Sequence, residues 1–315
     1  MREKTIMFLY LIAAFMYAPV ANADILPLND ALRATYTACV GIDDNLADLK
    51  KMAGINTAVT GVGTAVGAGA TVVGLVKASK DKEVEVKLEK LREIEQRNPD
   101  VEASDDEWDT FSASMQTQLS AAKQEIEKYQ AEIEKLTKQS KSLGNWRTGL
   151  LAGNTATNVA GAIIAGNNKV DDDLQTQIDN CKKAVDELQR SMMQARFDGE
   201  DVSEAQQIVT ACKEYNYVDI SPINKRAKGA MISSVVGATT GLAGTVTSAM
   251  ANTDKTRNDN TDAGKQKEKN LNTASNVLAG ASTVASATAT VFNATQISAI
   301  KKVATVASKC TEVLK

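Results

Sequence analysis

Apolar residues recur along this chain at alternating spacings of three and four, and stretches without any charge separate these runs. Leu32, Thr35, Cys39, Ile42, Leu46, Leu49 and Ala53 form the first series, one stripe of a packed helix. It predicts a helix that starts near Asn29, an N-cap after Pro27, and runs unbroken into the first uncharged stretch. Met115, Leu119, Ala122, Ile126, Tyr129, Ile133, Leu136, Ser140 and Leu143 form the longest series. With charges on the other faces, they read as a coiled-coil seam on a helix over 104–143. Ser104 and Glu107 are spaced as its capping box. Leu174, Ile178, Cys181, Val185, Leu188, Met192 and Ala195 mark a further helix. Asp171, Asp172 and Asp173 suit the N-terminus of that helix, and Phe197-Asp198-Gly199 its end. Asp201 with Glu204 reads as the capping box of the next helix, and Ser221-Pro222 as the start of another. Ile300, Val303, Ala307, Cys310 and Leu314 complete the pattern.

The uncharged stretches cover 52–76, 148–168, 229–253 and 270–300, and are built mainly from Gly, Ala, Thr, Ser and Val. Small residues let helix backbones approach closely. Gly63 with Gly67, Gly149 with Gly153, and Gly237 with Gly241 are GxxxG pairs expected at helix contacts. The fourth stretch carries Ala281, Ala285 and Ala289 at the same spacing. Residues 252–264 are polar and read as a loop.

Composition narrows the class. The 315 residues include only 4 prolines and 4% aromatics, which fits an all-α protein. The expected architecture is an elongated helical bundle of long antiparallel helices, with small-residue packing faces and a coiled-coil arm over 77–147. Residues 1–23 read as a secretory leader: Arg2 and Lys4, an apolar run over 6–18, and Ala21-Asn22-Ala23 as a small-x-small cleavage site. Losing Arg2, Glu3 and Lys4 takes the net charge from −3 to −4, which gives no reason to expect nucleic acid. The localisation implied is export, to a periplasm or the exterior. Four cysteines, Cys39, Cys181, Cys212 and Cys310, then suggest two disulfides. Two pairings stay open: Cys39–Cys181 with Cys212–Cys310, or Cys39–Cys310 with Cys181–Cys212.

The chain also resembles itself. Thr37-Ala38-Cys39 matches Thr210-Ala211-Cys212 at an offset of 173, and Gly63 and Gly67 match Gly237 and Gly241 at 174. The segment starting at Asn154 parallels the one starting at Asn272 at 118. The reading is an internal duplication, with halves at 24–200 (including the arm) and 201–315.

No enzyme constellation is visible. The chain has no histidine, hence no Ser-His or Cys-His nucleophile pair and no common zinc spacing. The acidic triplet lacks the alternating oxygen ligands of a calcium loop. No glycine run leads into Lys-Ser or Lys-Thr as a phosphate loop requires. No cofactor, metal or small-molecule substrate is expected. Two non-enzymatic readings follow. One is a structural or interaction protein of the cell envelope or exterior, a disulfide-stapled bundle whose helix 104–143 binds a protein partner or a second copy. The other is a membrane-active, pore-forming-like protein that inserts its small-residue hairpins into a bilayer. The abundance of Thr, Ser, Asn and Gly in the stretches favours the first.

Overall fold

The computed structural model describes residues 25–98, 113–257, 259 and 261–314. The leader and the Ser104–Glu107 capping box lie outside them. The described residues are all-α, in the order α1 (Leu28–Cys39), α2 (Ile42–Arg97), α3 (Ala113–Asn167), α4 (Asp172–Phe197), α5 (Ser203–Cys212), a 3-10 turn (Lys213–Tyr217), α6 (Ser221–Ala251), α7 (Asp254–Arg257) and α8 (Asp262–Leu314).

Several ends follow from local chemistry. Asp171 caps α4, its carboxylate accepting from the Leu174 amide at 2.8 Å, with Asp172 and Asp173 in the first turn. Gly199, at φ +84°, closes the same helix in a conformation that favours glycine. Other ends correct the sequence reading. The first series is two helices, because Gly41 at φ +88° breaks it after Val40. Asn29 lies inside α1, and Pro27 holds the N-cap position without a side-chain bond. The Asp201–Glu204 box does not form: Val202 is the N-cap, and Asp201 accepts instead from the Ser203 amide at 2.9 Å. The stretch read as a loop over 252–264 contains α7. It is tied to α3 by Lys141–Asp254 at 2.7 Å and by Arg257 donating to the Thr137 carbonyl at 3.3 Å.

The chain divides into two compact units. One comprises residues up to Leu49, Val170–Ile220, and Ala299 onward. Its interior is of the ordinary kind for a protein in water: Ile42, Leu46, Ile178, Val185, Leu188, Ile208, Tyr215, Ile300 and Val303 are buried. It holds both disulfides, Cys39–Cys181 and Cys212–Cys310, with Cα–Cα distances of 4.8 and 4.6 Å. The Asn45 amide donates to Gln177, whose own amide donates to the Val40 carbonyl, so the α1–α2 break is fastened to α4.

The other unit comprises Lys50–Lys169 and Ser221–Ser298. Each unit therefore draws on both halves of the sequence. Here parts of α2, α3, α6 and α8 form a four-helix bundle. Ser248 meets Thr148, and Ser234 lies against Gly161, so α3 and α6 are antiparallel. Ser275 donates to the Gly244 carbonyl and Ser282 to that of Gly237, so α6 and α8 are antiparallel. Asn56 donates to Asn293 and Gly67 lies against Thr283, so α2 and α8 are antiparallel. Helices α3 and α8 run parallel: Asn154–Ser282, Asn158–Ser286 and Asn168–Gln296 are all 128 residues apart.

Beyond the bundle, α2 and α3 continue as a charged hairpin. Asp81 accepts from Ser140, and Lys87 pairs with Glu132 while lying 5.6 Å from the Tyr129 ring centroid. Further out, Leu119, Ala122 and Ile126 pack with Leu91, Ile94 and Met115. The pairing is continuous with that of the bundle: Asp81 with Ser140 follows Gly67 with Asn154 and Gly63 with Thr157.

Candidate functional site

The bundle reverses the usual arrangement of polar and apolar side chains. Along α2 the buried positions are Ala53, Asn56, Thr60, Gly63, Gly67, Ala70, Gly74 and Lys77. Along α3 they include Asn154, Asn158, Gly161, Ala165 and Asn168; along α6, Ser234, Gly237, Gly241, Gly244 and Ser248. On α8 they include Ser275, Ser282, Ser286, Asn293 and Gln296. Most bulky apolar residues of the same helices within the bundle face outward, with Leu151 and Ile223 the buried exceptions. Val277, Val284 and Val291, seven residues apart on α8, are 67%, 67% and 62% exposed. Ile163 and Leu242 are 61% and 58% exposed, and Val62, Val72, Leu75, Val236 and Val246 are exposed as well. Among the described residues, three helices are long and apolar enough to cross a membrane: the one over Leu28–Arg97 counted through the break, Ser221–Ala251, and Asp262–Leu314. Only 28%, 28% and 33% of their apolar windows are buried.

The interior polar groups close on one another. The Asn158 side-chain amide donates to the Asn154 backbone carbonyl at 2.9 Å and to the Ser286 hydroxyl at 2.8 Å, and the Ser286 Oγ also lies 3.0 Å from Asn158 Oδ1. Asn154 donates to Ser282 at 2.8 Å, and Ser282 donates to the Gly237 carbonyl at 2.6 Å. Gln296 donates to the Asn168 carbonyl at 2.7 Å. The groups of this ladder satisfy one another, as buried polar groups require, whereas the Asn56 side-chain oxygen and the Ser234 hydroxyl are buried without a hydrogen-bond partner among the described residues.

The glycines set the bundle's width. A Cβ at Gly63 would stand 2.6 Å from Thr157, and one at Gly67 would stand 2.6 Å from Thr283 and 2.9 Å from Asn154. At Gly237 it would stand 2.6 Å from Asn158, and at Gly241 2.6 Å from Thr155. These four are contact points between backbones and neighbouring side chains. The remaining pair is not. Gly149 is exposed with nothing within 4 Å of such a Cβ, and Gly153 meets only Val66, at an ordinary 3.6 Å. The close approach on α3 is instead at Gly161, where Thr60 would stand 2.8 Å away.

Among the described residues of the bundle, the buried charged side chains, Lys77 and Arg147, lie at the end that leads into the hairpin. Lys77 is buried and pairs with Asp81 at 2.6 Å and with Glu268 at 3.8 Å. Burial raises the Glu268 carboxyl above the ordinary value, against the pull of Lys77. Trp146, 67% exposed, stands beside the buried Arg147 at the same end.

The inward polar positions went unread in the sequence. Their signal was present: Asn154 with Asn158 and Ser282 with Ser286 repeat the four-residue spacing of the glycines. The parallel register places Ser282 beside Asn154. No protein-family model, curated protein or solved structure matches this chain.

Proposed function

We propose that the chain is an exported, non-enzymatic envelope protein whose four-helix bundle is embedded in lipid, where it anchors a disulfide-stapled unit and a charged helical hairpin. The observation that carries this reading is the inverted polarity of the bundle. In water, outward Val, Leu and Ile around a core of Asn, Ser and Thr forfeits the hydrophobic effect twice, and contiguous exposed apolar surface of this kind marks an interaction site. In hydrocarbon the same arrangement is favourable. Apolar side chains meet lipid tails, small residues let helices touch, and polar groups bond across helices. The disulfide unit is an internal control, because the same chain builds an apolar core there. Uncharged stretches of 21 to 31 residues match the roughly 20 residues that cross about 30 Å of hydrocarbon.

The mutually bonded core favours an anchor over a pore. The charged hairpin, with its heptad seam, is the part offered to a protein partner or a second copy. Two disulfides fit an oxidising, non-cytoplasmic compartment.

Trp146 supplies the test. The chain has two tryptophans, Trp108 and Trp146, so Trp108→Phe leaves one reporter at the end of a proposed span. Reconstituted into vesicles, this variant should float with lipid after alkaline carbonate, show blue-shifted emission, and be quenched by brominated acyl chains. A protein that stays monodisperse without detergent, fails to float and is not quenched would overturn the proposal.

A further inference from the structure

The two disulfides are neighbours. Three sulfurs, those of Cys39, Cys181 and Cys310, lie within 4.8 Å of one another, and Cys212 is bonded to Cys310. Both sulfurs of one disulfide are thus close to one sulfur of the other, and all four cysteines are fully buried. We propose that the four cysteines form a single exchange-coupled centre, in which a thiolate released from one disulfide attacks the other within the folded protein.

The step balances without an external oxidant or reductant once one thiolate exists. The Cys39 thiolate attacks the Cys310 sulfur, and a Cys39–Cys310 bond forms. The Cys310–Cys212 bond breaks, and its electron pair leaves on Cys212, which takes up the proton Cys39 gave up. Exchange needs a thiolate within reach of a disulfide sulfur, and the 4.8 Å cluster meets that condition for three of the four cysteines. The product bond, Cys39–Cys310, belongs to the alternative pairing that the sequence left open. A molecule that holds one thiolate can therefore move its bond between Cys212–Cys310 and Cys39–Cys310 without leaving the fold. Burial shields the centre from bulk thiols, so exchange proceeds within one molecule.

Cys181→Ser in the full exported chain creates the required thiol without any reductant. After native incubation at mildly alkaline pH, acid quenching, alkylation and peptide mapping should reveal two species. One has Cys212–Cys310 bonded and Cys39 alkylated; the other has Cys39–Cys310 bonded and Cys212 alkylated. Their ratio should not depend on protein concentration, and denaturant should slow their interconversion. The reciprocal variant, Cys212→Ser, should transfer Cys310 onto Cys39 or Cys181. Brief treatment of the unmutated protein with a phosphine reductant should yield a two-thiol species with a mixture of bonds, which covers the case of a variant that does not fold. If both variants keep only their original disulfide, and partly reduced protein retains Cys39–Cys181 or Cys212–Cys310 alone, the proposal is overturned.

Discussion

Replacing Gly237 by Ala adds one methyl group at a close contact between α6 and α3. The new Cβ would lie 2.6, 2.7 and 2.9 Å from the three amide atoms of Asn158, so Asn158 must move. It is not free to do so cheaply, because its side chain holds the Asn154 carbonyl at 2.9 Å and Ser286 at 2.8 Å. Losing one such bond costs about 0.5–1.5 kcal/mol net, and more if a buried partner is orphaned. Overpacking by a methyl typically costs about 1–3 kcal/mol. Against this stands a helix-propensity gain of about 1 kcal/mol for Gly→Ala. The balance is a loss of about 1–3 kcal/mol. Gly149→Ala is the control: it makes the same backbone change on a neighbouring helix with nothing within 4 Å, so only the gain of up to about 1 kcal/mol remains. Unfolding followed by circular dichroism, in one fixed lipid or detergent, should rank Gly149→Ala above the unmutated protein and Gly237→Ala below it. If Gly237→Ala equals or exceeds Gly149→Ala, Asn158 is not pinned and the ladder does not hold the bundle together.

Three further outcomes are expected. Joining Lys87 to Glu132 by a link of about four polar residues preserves the α2–α3 pairing, and the shortened protein should melt cooperatively, whereas a link that shifts one side by two residues should not; identical melts would show that the pairing in the hairpin is not set by the bundle. Glu268→Gln should alter the pH dependence of stability: burial raises the carboxyl in the fold, so the unmutated protein should lose stability relative to the variant as pH rises from about 4.5 through the raised value, and parallel curves would refute this. Tyr215→Phe removes a buried hydroxyl that has no hydrogen-bond partner and is held protonated by burial and, secondarily, by Asp43; thermal unfolding should place the variant within about 1 kcal/mol of the original or above it, and a loss beyond 2 kcal/mol would mean the hydroxyl has a partner.

The helices were legible because their signals are local. Asp171 and Gly199 delimit α4 as their chemistry requires, and scarce proline left the long helices uninterrupted. The within-half cysteine pairing was legible as one of two options, since the cysteines lie on apolar seams. The misreadings had local competitors. Gly41 broke a stripe whose spacing continued on both sides of it. Asn29 offered a capping side chain, yet the fixed backbone of Pro27 took the position. Gly149 and Gly153 matched the GxxxG spacing on the outward side of α3, and spacing alone does not say which face a stripe occupies.

That last ambiguity is the one the fold resolves. On α8, Val277, Val284 and Val291 repeat every seven residues, and so do Ser275, Ser282 and Ala289. Both are valid seams by period, and in water the valines would be the one to bury. What turns the serine seam inward is width. Helices α3 and α8 bond directly as a parallel pair, while both also pack against α2 and α6 as antiparallel neighbours, so they span the middle of the bundle. Such an approach tolerates Gly, Ala, Ser and Asn and excludes a row of valines. The narrow core thus commits the bulky apolar side chains to the outside, and an environment that welcomes them must be supplied by something other than the chain. On the reading proposed above, lipid would do so with no further contact required, and the Asn154, Asn158, Ser282 and Ser286 side chains, paired with one another inside, would need nothing from it.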